Sequence, residues 1–187
     1  MTRTHSIRSD SEEARSFRQW LRGATHAEHV ALDKRMSGLD LSAAEGYVHF
    51  LHINLQSLEF LRLGCRSEDY RDFDALIRRA RLDLGGRSDD RVTVALVPDP
   101  AEYAHGLGIA YVVRGSRLGA QVLRSRVSAA LPTAFLDHVM DTPWPHFVME
   151  LNRYGERADA AARELVLRGA RKAFAVYAEN CARIAGI

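Results

Sequence analysis

Apolar residues recur every three or four positions along most of the chain, and this spacing is typical of amphipathic helices. No alternation of strand and helix patterns is present, which argues against a parallel sheet. The sequence therefore predicts an all-α fold, a single multi-helix bundle. The predicted helices cover about residues 12–36, 42–61, 67–82, 100–126, 144–154 and 157–183.

Two short motifs predict where helices begin. Ser42-Ala-Ala-Glu45 has the form of a capping box, with a serine N-cap and a glutamate three residues later. Asp99-Pro-Ala-Glu102 combines an acidic N-cap with proline at the first helical position. The segment 91–97 is rich in β-branched residues but has no partner strand, so it is expected to be an extended connector.

Composition limits the class of protein. A chain of 187 residues suits one domain, covering residues 1–187, of which about the first 11 are expected to be flexible. No apolar run is long enough to span a membrane, and the N-terminus is too polar to be a secretory signal. Two cysteines do not make a disulfide framework, so a cytoplasmic location is expected. The net charge of +2, with arginines scattered among acids, argues against nucleic-acid binding.

Two glycines interrupt a long apolar run that otherwise predicts helix. Gly115 and Gly119 are four residues apart and share one helix face, on which they leave no side chains. Each glycine costs a helix interior about 1 kcal/mol relative to alanine, so a close approach to the backbone is implied. The pattern allows two explanations: another helix packs on this face, or a flat ligand does.

The first predicted helix carries a candidate ligand-binding pair. His29 and Asp33 are four residues apart, and a carboxylate can orient an imidazole that binds metal through its other nitrogen. Arg22 lies two turns earlier on the same side, where it could bind the anionic edge of a large ligand. A plain surface pair is the alternative, and His26 is a rival that spacing does not exclude.

Other histidines fit a metal site less well. His49 and His52 are three residues apart on the second helix, but neither follows a glutamate at the Glu-x-x-His spacing, which a di-iron bundle takes from each of two helices. The sequence also contains no Walker loop, Rossmann fingerprint or G-x-S-x-G elbow. Nucleotide binding and serine-hydrolase chemistry are therefore not indicated.

Two segments of the sequence, residues 21–33 and 111–121, resemble motifs of the heme oxygenase family. The family's proximal helix is similar to residues 21–33, Leu-Arg-Gly-Ala-Thr-His-Ala-Glu-His-Val-Ala-Leu-Asp. The glycine-rich distal helix of its bacterial branch is similar to residues 111–121, Tyr-Val-Val-Arg-Gly-Ser-Arg-Leu-Gly-Ala-Gln. The family's C-terminal helix is similar to Ala170-Arg-Lys-Ala-Phe174. The Gly-Ser-Arg-Leu-Gly form most resembles the enzymes that make bilin for bacterial phytochromes.

The resemblance implies where heme would lie and which residues would hold it. Heme would be sandwiched between the proximal and distal helices, with His29 rather than His26 as the axial iron ligand. Gly115, Ser116 and Gly119 would form the distal surface at which O₂ reacts. The remaining implied heme contacts are Arg22, Asp33, Tyr111, Arg117 and Phe174, with Arg22 matching a propionate-binding position and Arg117 either pairing with a propionate or solvated.

The resemblance also implies a reaction and its partners. Heme would be both substrate and cofactor, and O₂ with external electrons would open it to biliverdin, CO and ferrous iron. The electrons would come from a ferredoxin or flavoprotein reductase, and a bacteriophytochrome could accept the bilin. A heme carrier or sensor of the same fold is the alternative, and a helical bundle without heme is a third possibility.

Two residues depart from the family pattern. Ser116 occupies the position at which mammalian members place a water-organising aspartate, so a different water network is required. Arg114 occupies a position at which bacterial relatives often have glutamate.

Overall fold

The computed structural model describes residues 16–86 and 100–187, and every regular element in these two ranges is a helix. The predicted all-α class is thus confirmed. The α-helices are α1 (Phe17–Ala24), α2 (His26–Ser37), α3 (Ala44–Arg62), α4 (Tyr70–Asp83), α5 (Pro100–Ser116), α6 (Ala120–Arg124), α7 (Ala134–Asp137), α8 (Trp144–Arg157) and α9 (Ala160–Ala185). Short 3₁₀ turns at Ser67–Asp69 and Arg117–Gly119 precede α4 and α6. Within the described residues, no helix is both long enough and apolar enough to cross a membrane.

The first predicted helix is divided at Thr25. The hydroxyl of Thr25 donates a hydrogen bond to the carbonyl of Leu21 at 2.9 Å, a local contact that competes with the helical ladder. The helix α1 begins with a capping box that the sequence analysis did not identify, in which Ser16 and Gln19 bond to each other's backbone amides. Residues before Ser16, including the segment expected to be flexible, lie outside the described part.

The capping box predicted at Ser42 is wrong. Ala43 is the N-cap of α3, and no side chain caps that helix. Ser42 instead donates its amide and its hydroxyl to the Asp40 carboxylate, at 3.0 and 2.6 Å. An aspartate two residues earlier is the nearer acceptor, so the serine forms a turn before the helix instead of capping it.

The long glycine-bearing helix is shorter than predicted. It ends as α5 at Ser116, and a 3₁₀ turn and the short helix α6 replace the remainder of the predicted span to Arg126. Tighter 3₁₀ turns are common where a helix is interrupted, and here the turn spans the positions between the two glycines. The predicted Asp99 cap and the 91–97 connector lie outside the described residues.

The helix α9 is the centre of the core and packs against α5, α3 and α2. The crossing of α5 and α9 is the closest, because glycines face backbone there: a Cβ on Gly108 would lie 2.7 Å from the Ala170 amide and would overlap the Val166 carbonyl oxygen. A Cβ on Gly169 would likewise overlap the His105 carbonyl oxygen. Absent side chains therefore let the two backbones touch.

The helix α1 packs at the side of this core, against α8. A Cβ on Gly155 of α8 would overlap the ring of Phe17. The amide of Arg18 donates to the Asn152 side chain at 3.0 Å, which fixes the start of α1 on the same helix. Thus α1 is supported by α8 and α2 by α9, with the break at Thr25 between them.

Candidate functional site

The histidine–aspartate pair on α2 forms as the spacing predicted. His29 Nδ1 lies 3.1 Å from Asp33 Oδ2, and the two side chains are 60% and 67% exposed. The imidazole stands edge-on to the ring of Phe174 on α9, with the centroids 5.9 Å apart. Because Nδ1 faces the carboxylate, Nε2 is the nitrogen that is positioned to bind a ligand. Three predicted site residues, His29, Asp33 and Phe174, are therefore brought together.

Within the described part of the chain, the face formed by Gly115 and Gly119 is approached only by the first residue of α8, Trp144. A Cβ on Gly119 would meet nothing within 4 Å, and one on Gly115 would meet only the Trp144 ring, at 3.7 Å. The helices α2 and α5 each pack on α9 and make little direct contact with each other. Of the two explanations for these glycines, the open face favours a ligand.

Tyr111 links the distal helix to the junction of α1 and α2. Its side chain lies beside Thr25 and within electrostatic range of Arg18 and Arg22. Burial raises the pKa of Tyr111, and the two cations and the neighbouring Thr25 side chain oppose that rise. The predicted residues Tyr111 and Arg22 thus share one neighbourhood.

This contact locates the site along both helices. Gly115 lies one turn along α5 from Tyr111, and His29 lies one turn along α2 from Thr25. The amide of His29 donates to the Thr25 carbonyl at 3.0 Å, so the helical turn that carries the imidazole starts at the break. Gly115 and His29 therefore each lie about one turn from the neighbourhood that Tyr111 and Thr25 share.

Arg18 is a neighbour of Tyr111 that the sequence analysis did not identify. It precedes Arg22 by four residues, so both guanidinium groups lie on one side of α1. The signal was available in the i, i+4 spacing of the two arginines. Together they form a pair of cations beside Tyr111, suited to an anionic group on a ligand.

The side chains of Ser116 and Arg117 both donate hydrogen bonds to backbone carbonyls. The exposed Ser116 donates its hydroxyl to the Val113 carbonyl at 2.7 Å. The guanidinium of Arg117 donates to the carbonyls of Phe135 and Leu136, at 2.9 and 3.2 Å, near the C-terminal end of α7. Arg117 therefore faces α7 and not the cation pair, and burial lowers its pKa.

The surroundings of Trp144 and Arg114, on either side of the glycine face, were not predicted from the sequence. The ring of Trp144 lies beside Gly115, and its centroid is 6.1 Å from that of Tyr111. Arg114 is buried and pairs with Asp69 and Asp72 from the start of α4, at 2.7 and 2.8 Å. A charged residue inside an apolar run was the available signal for Arg114, because a buried charge requires a partner.

The rival histidines lack comparable surroundings. His26 is exposed at the first position of α2, and His49 and His52 are half-buried on α3. In the two described ranges, no group of three or more His, Cys, Asp or Glu side chains could hold a bare metal ion. A single histidine ligand, as at His29, instead fits iron that is already held by a macrocycle.

Comparison with known proteins adds a match in fold. No protein-family model matches the sequence, and no curated protein does. Among solved structures, the chain is similar to the heme oxygenase from Neisseria meningitidis, whose structure was determined with NO and CO bound. The TM-score is 0.65 at 22% sequence identity, and the alignment covers 93% of this chain and 94% of that one. The chain therefore has the fold of this bacterial heme oxygenase.

Proposed function

We propose that this protein is a heme oxygenase, which opens heme with O₂ and external electrons to biliverdin, CO and ferrous iron. The observation that carries the proposal is the pairing of an open glycine face, at Gly115 and Gly119, with an exposed histidine that already has an orienting carboxylate. The shared fold and the two sequence motifs support the same activity.

The residues present fit heme in shape and charge. A planar ring needs a surface without side chains, which the two glycines provide. Iron in a porphyrin needs one protein ligand, and a heme carries two propionates that would pair with Arg22 and Arg18. Tyr111 and Phe174 would contact the ring from the distal helix and from α9.

Each residue then has a defined task. Asp33 accepts a hydrogen bond from Nδ1–H of His29 and so fixes the tautomer of the neutral imidazole, with Nε2 left free to hold the iron of a bound heme. Bound heme would supply the oxidative chemistry, because the porphyrin ring of the heme is itself what O₂ oxidises. The glycines would let the backbone of their segment approach the bound ligand closely, and so would limit the space around it. Ser116 Oγ already donates to Val113, so it is placed to accept a hydrogen bond from water in the site.

The proposal includes an external electron donor, of the ferredoxin or flavoprotein type, because the sequence carries no flavin or nicotinamide motif. A bacteriophytochrome is proposed as one acceptor of the bilin. The protein is expected to act in the cytoplasm, where both kinds of partner reside.

Titration with hemin, followed by ascorbate in air, tests the function. We expect a Soret band that saturates at one heme per chain and then gives way to the broad red absorbance of biliverdin. His29→Ala should weaken or shift the Soret band and abolish turnover. His26→Ala is the matched control, because it removes an exposed imidazole three residues away and should behave as the parent.

Each alternative predicts a different outcome. A Soret band that stays unchanged under reductant and O₂ would identify a heme carrier or sensor. The absence of any saturable Soret band would show that the protein does not bind heme. If His26→Ala loses the Soret band and His29→Ala keeps it, His26 and not His29 is the axial ligand.

A further inference from the structure

Arg114, the residue directly before Gly115, ends in a buried group of acids. Its side chain is 3% exposed, and its Nη2 lies 2.7 Å from Asp69 Oδ1 and 2.8 Å from Asp72 Oδ2. Asp69 is shared with a second buried arginine, Arg66, whose Nε lies 2.7 Å from Asp69 Oδ2. Two guanidinium groups thus hold two carboxylates at the start of α4, away from water.

The same group holds the segment before α8. Arg114 Nη1 donates to the Thr142 carbonyl at 3.1 Å. Asp72 uses its other oxygen, Oδ1, to accept the Asp141 amide at 2.8 Å. Two successive backbone units are therefore bonded to one arginine–aspartate pair, which fixes this segment relative to the end of α5.

Trp144 follows this segment directly. Pro143 and Pro145 flank it, and each proline fixes its own φ, so the position of Trp144 depends closely on that of residues 141 and 142. The indole lies 3.7 Å from the place that a Cβ of Gly115 would occupy. It stacks on the Phe147 ring with the centroids 5.7 Å apart, and Phe147 in turn lies under the Arg114 guanidinium.

We infer that Arg114 is a positioning residue that sets how close Trp144 lies to Gly115, and thereby how much of the glycine face is open. Arg114 acts through Thr142 and Asp72 and does not itself reach the open face. Its consequence for the ligand rests on the proposed function, because the open face is where heme would lie. Its consequence for Trp144 can be measured without heme.

The substitutions separate charge from volume. Arg114→Met keeps most of the volume but removes every hydrogen bond to Asp69, Asp72 and Thr142. Arg114→Lys keeps the charge, but one ammonium cannot reproduce the fork that reaches two carboxylates and a carbonyl. The position of Trp144 should therefore change most in the methionine variant and less in the lysine variant.

The fluorescence of Trp144 is the direct readout. The chain has two tryptophans, so Trp20→Phe leaves Trp144 as the single indole. In this background and without heme, Arg114→Met should shift Trp144 emission to the red and raise its acrylamide quenching constant roughly two-fold, as local opening does. The emission maximum and the quenching constant of Arg114→Lys should lie between those of the parent and those of Arg114→Met. Where the methionine variant does not fold by circular dichroism, the lysine variant carries the test.

Arg62→Met is the matched control. Arg62 also forms a part-buried ion pair, with Asp74, but this pair lies between α3 and α4 and has no bond to residues 141 or 142 in the described structure. Its loss should leave the emission and the quenching of Trp144 unchanged. Equal changes in Arg62→Met and Arg114→Met would overturn the inference, as would an unchanged Trp144 in both Arg114 variants.

Hemin titration of the same proteins keeps the two proposals apart. Changed Trp144 quenching together with weaker hemin binding or a changed Soret band in Arg114→Met supports both. If the parent binds no hemin while Trp144 still responds to Arg114, the proposed function fails and the positioning role stands. If the parent binds hemin but neither Arg114 variant alters Trp144, the positioning role fails alone.

Discussion

Two groups of glycines, one inside α5 and one at the end of α5 and in the 3₁₀ turn after it, have opposite surroundings. Around Gly108 the missing Cβ is replaced by the backbone of α9, which comes so close that any side chain would overlap it. Around Gly119 the missing Cβ leaves open space, and Gly115 faces only an indole edge. This segment therefore uses glycine first to close a contact and, about two turns later, to keep a surface clear.

The difference lies in the partner and not in the glycines. Opposite Gly108, α9 presents the Val166 carbonyl and the Ala170 amide, and Gly169 on α9 faces the His105 carbonyl of α5 in the same way. Near Gly115, the neighbour is Trp144, which belongs to another helix and is held by a separate set of buried charges. Glycine spacing alone could not distinguish these cases.

Alanine at the closed contact should have the largest effect. We expect Gly108→Ala to lower the free energy of unfolding by about 3 kcal/mol, because the clash is with backbone and cannot be relieved by rotating a side chain. Urea unfolding measures this. Gly23→Ala is the control: a Cβ there meets nothing within 4 Å, so its unfolding free energy should change by less than about 1 kcal/mol. Equal stability of Gly108→Ala and the parent would contradict the closed contact.

A larger side chain on the open face should affect binding more than folding. Gly119→Leu should change the free energy of unfolding by less than about 1 kcal/mol but weaken hemin binding about 10-fold or more, since the side chain occupies the ligand's space. Soret titration measures the affinity. Gln121→Leu adds the same side chain to an exposed position on α6 and should bind hemin as the parent does. Unchanged affinity in Gly119→Leu would mean that the open face is not where hemin binds.

A titratable group at the closed contact gives the smallest expected effect. Burial lowers the pKa of His105 on α5, and Arg168 and Lys172 on α9 lower it further. Because its folded pKa lies below its ordinary value of about 6.5, protonation favours the unfolded chain. The stability that neutral His105 contributes is present above about pH 6.5 and is lost as the pH falls toward the folded pKa.

His105→Gln should therefore flatten the dependence of unfolding free energy on pH in this acidic range. Urea unfolding at a series of pH values measures the slope. Burial also lowers the pKa of His138, near Arg117, so part of the slope should remain. Parallel curves of unfolding free energy against pH for His105→Gln and the parent would show that His105 does not contribute to the pH dependence.

The helices themselves were predictable because their apolar spacing is long and regular. The pairing of His29 with Asp33 was also predictable, since residues four apart on one helix are neighbours wherever that helix packs. What escaped prediction depended on local competition: the Thr25 hydroxyl bonds within its own turn, and Asp40 takes Ser42 from its predicted cap.

The remaining site features depend on contacts between distant segments. Arg114 meets Asp69 across 45 residues, and its bond to Thr142 spans 28. Nothing in the local sequence indicates these partners, so neither the position of Trp144 nor the inward turn of Arg117 toward α7 could be predicted. Heme was expected from the resemblance to heme oxygenases, whereas the difference between the closed and the open glycines depends on how distant helices pack.

The place of α9 in the chain also bears on how the molecule is made. Residues leave the ribosome from the N-terminus, so α2, α3 and α5 are synthesised before the helix on which all three pack. Until residues 160–185 have emerged, Gly108 has no surface to close on and His29 has no Phe174 beside it. We expect pulse-labelled hydrogen exchange during refolding to show amides of α2 and α5 gaining protection together with those of α9. A nascent chain would then leave these contacts of α2 and α5 unmade until synthesis has passed α9.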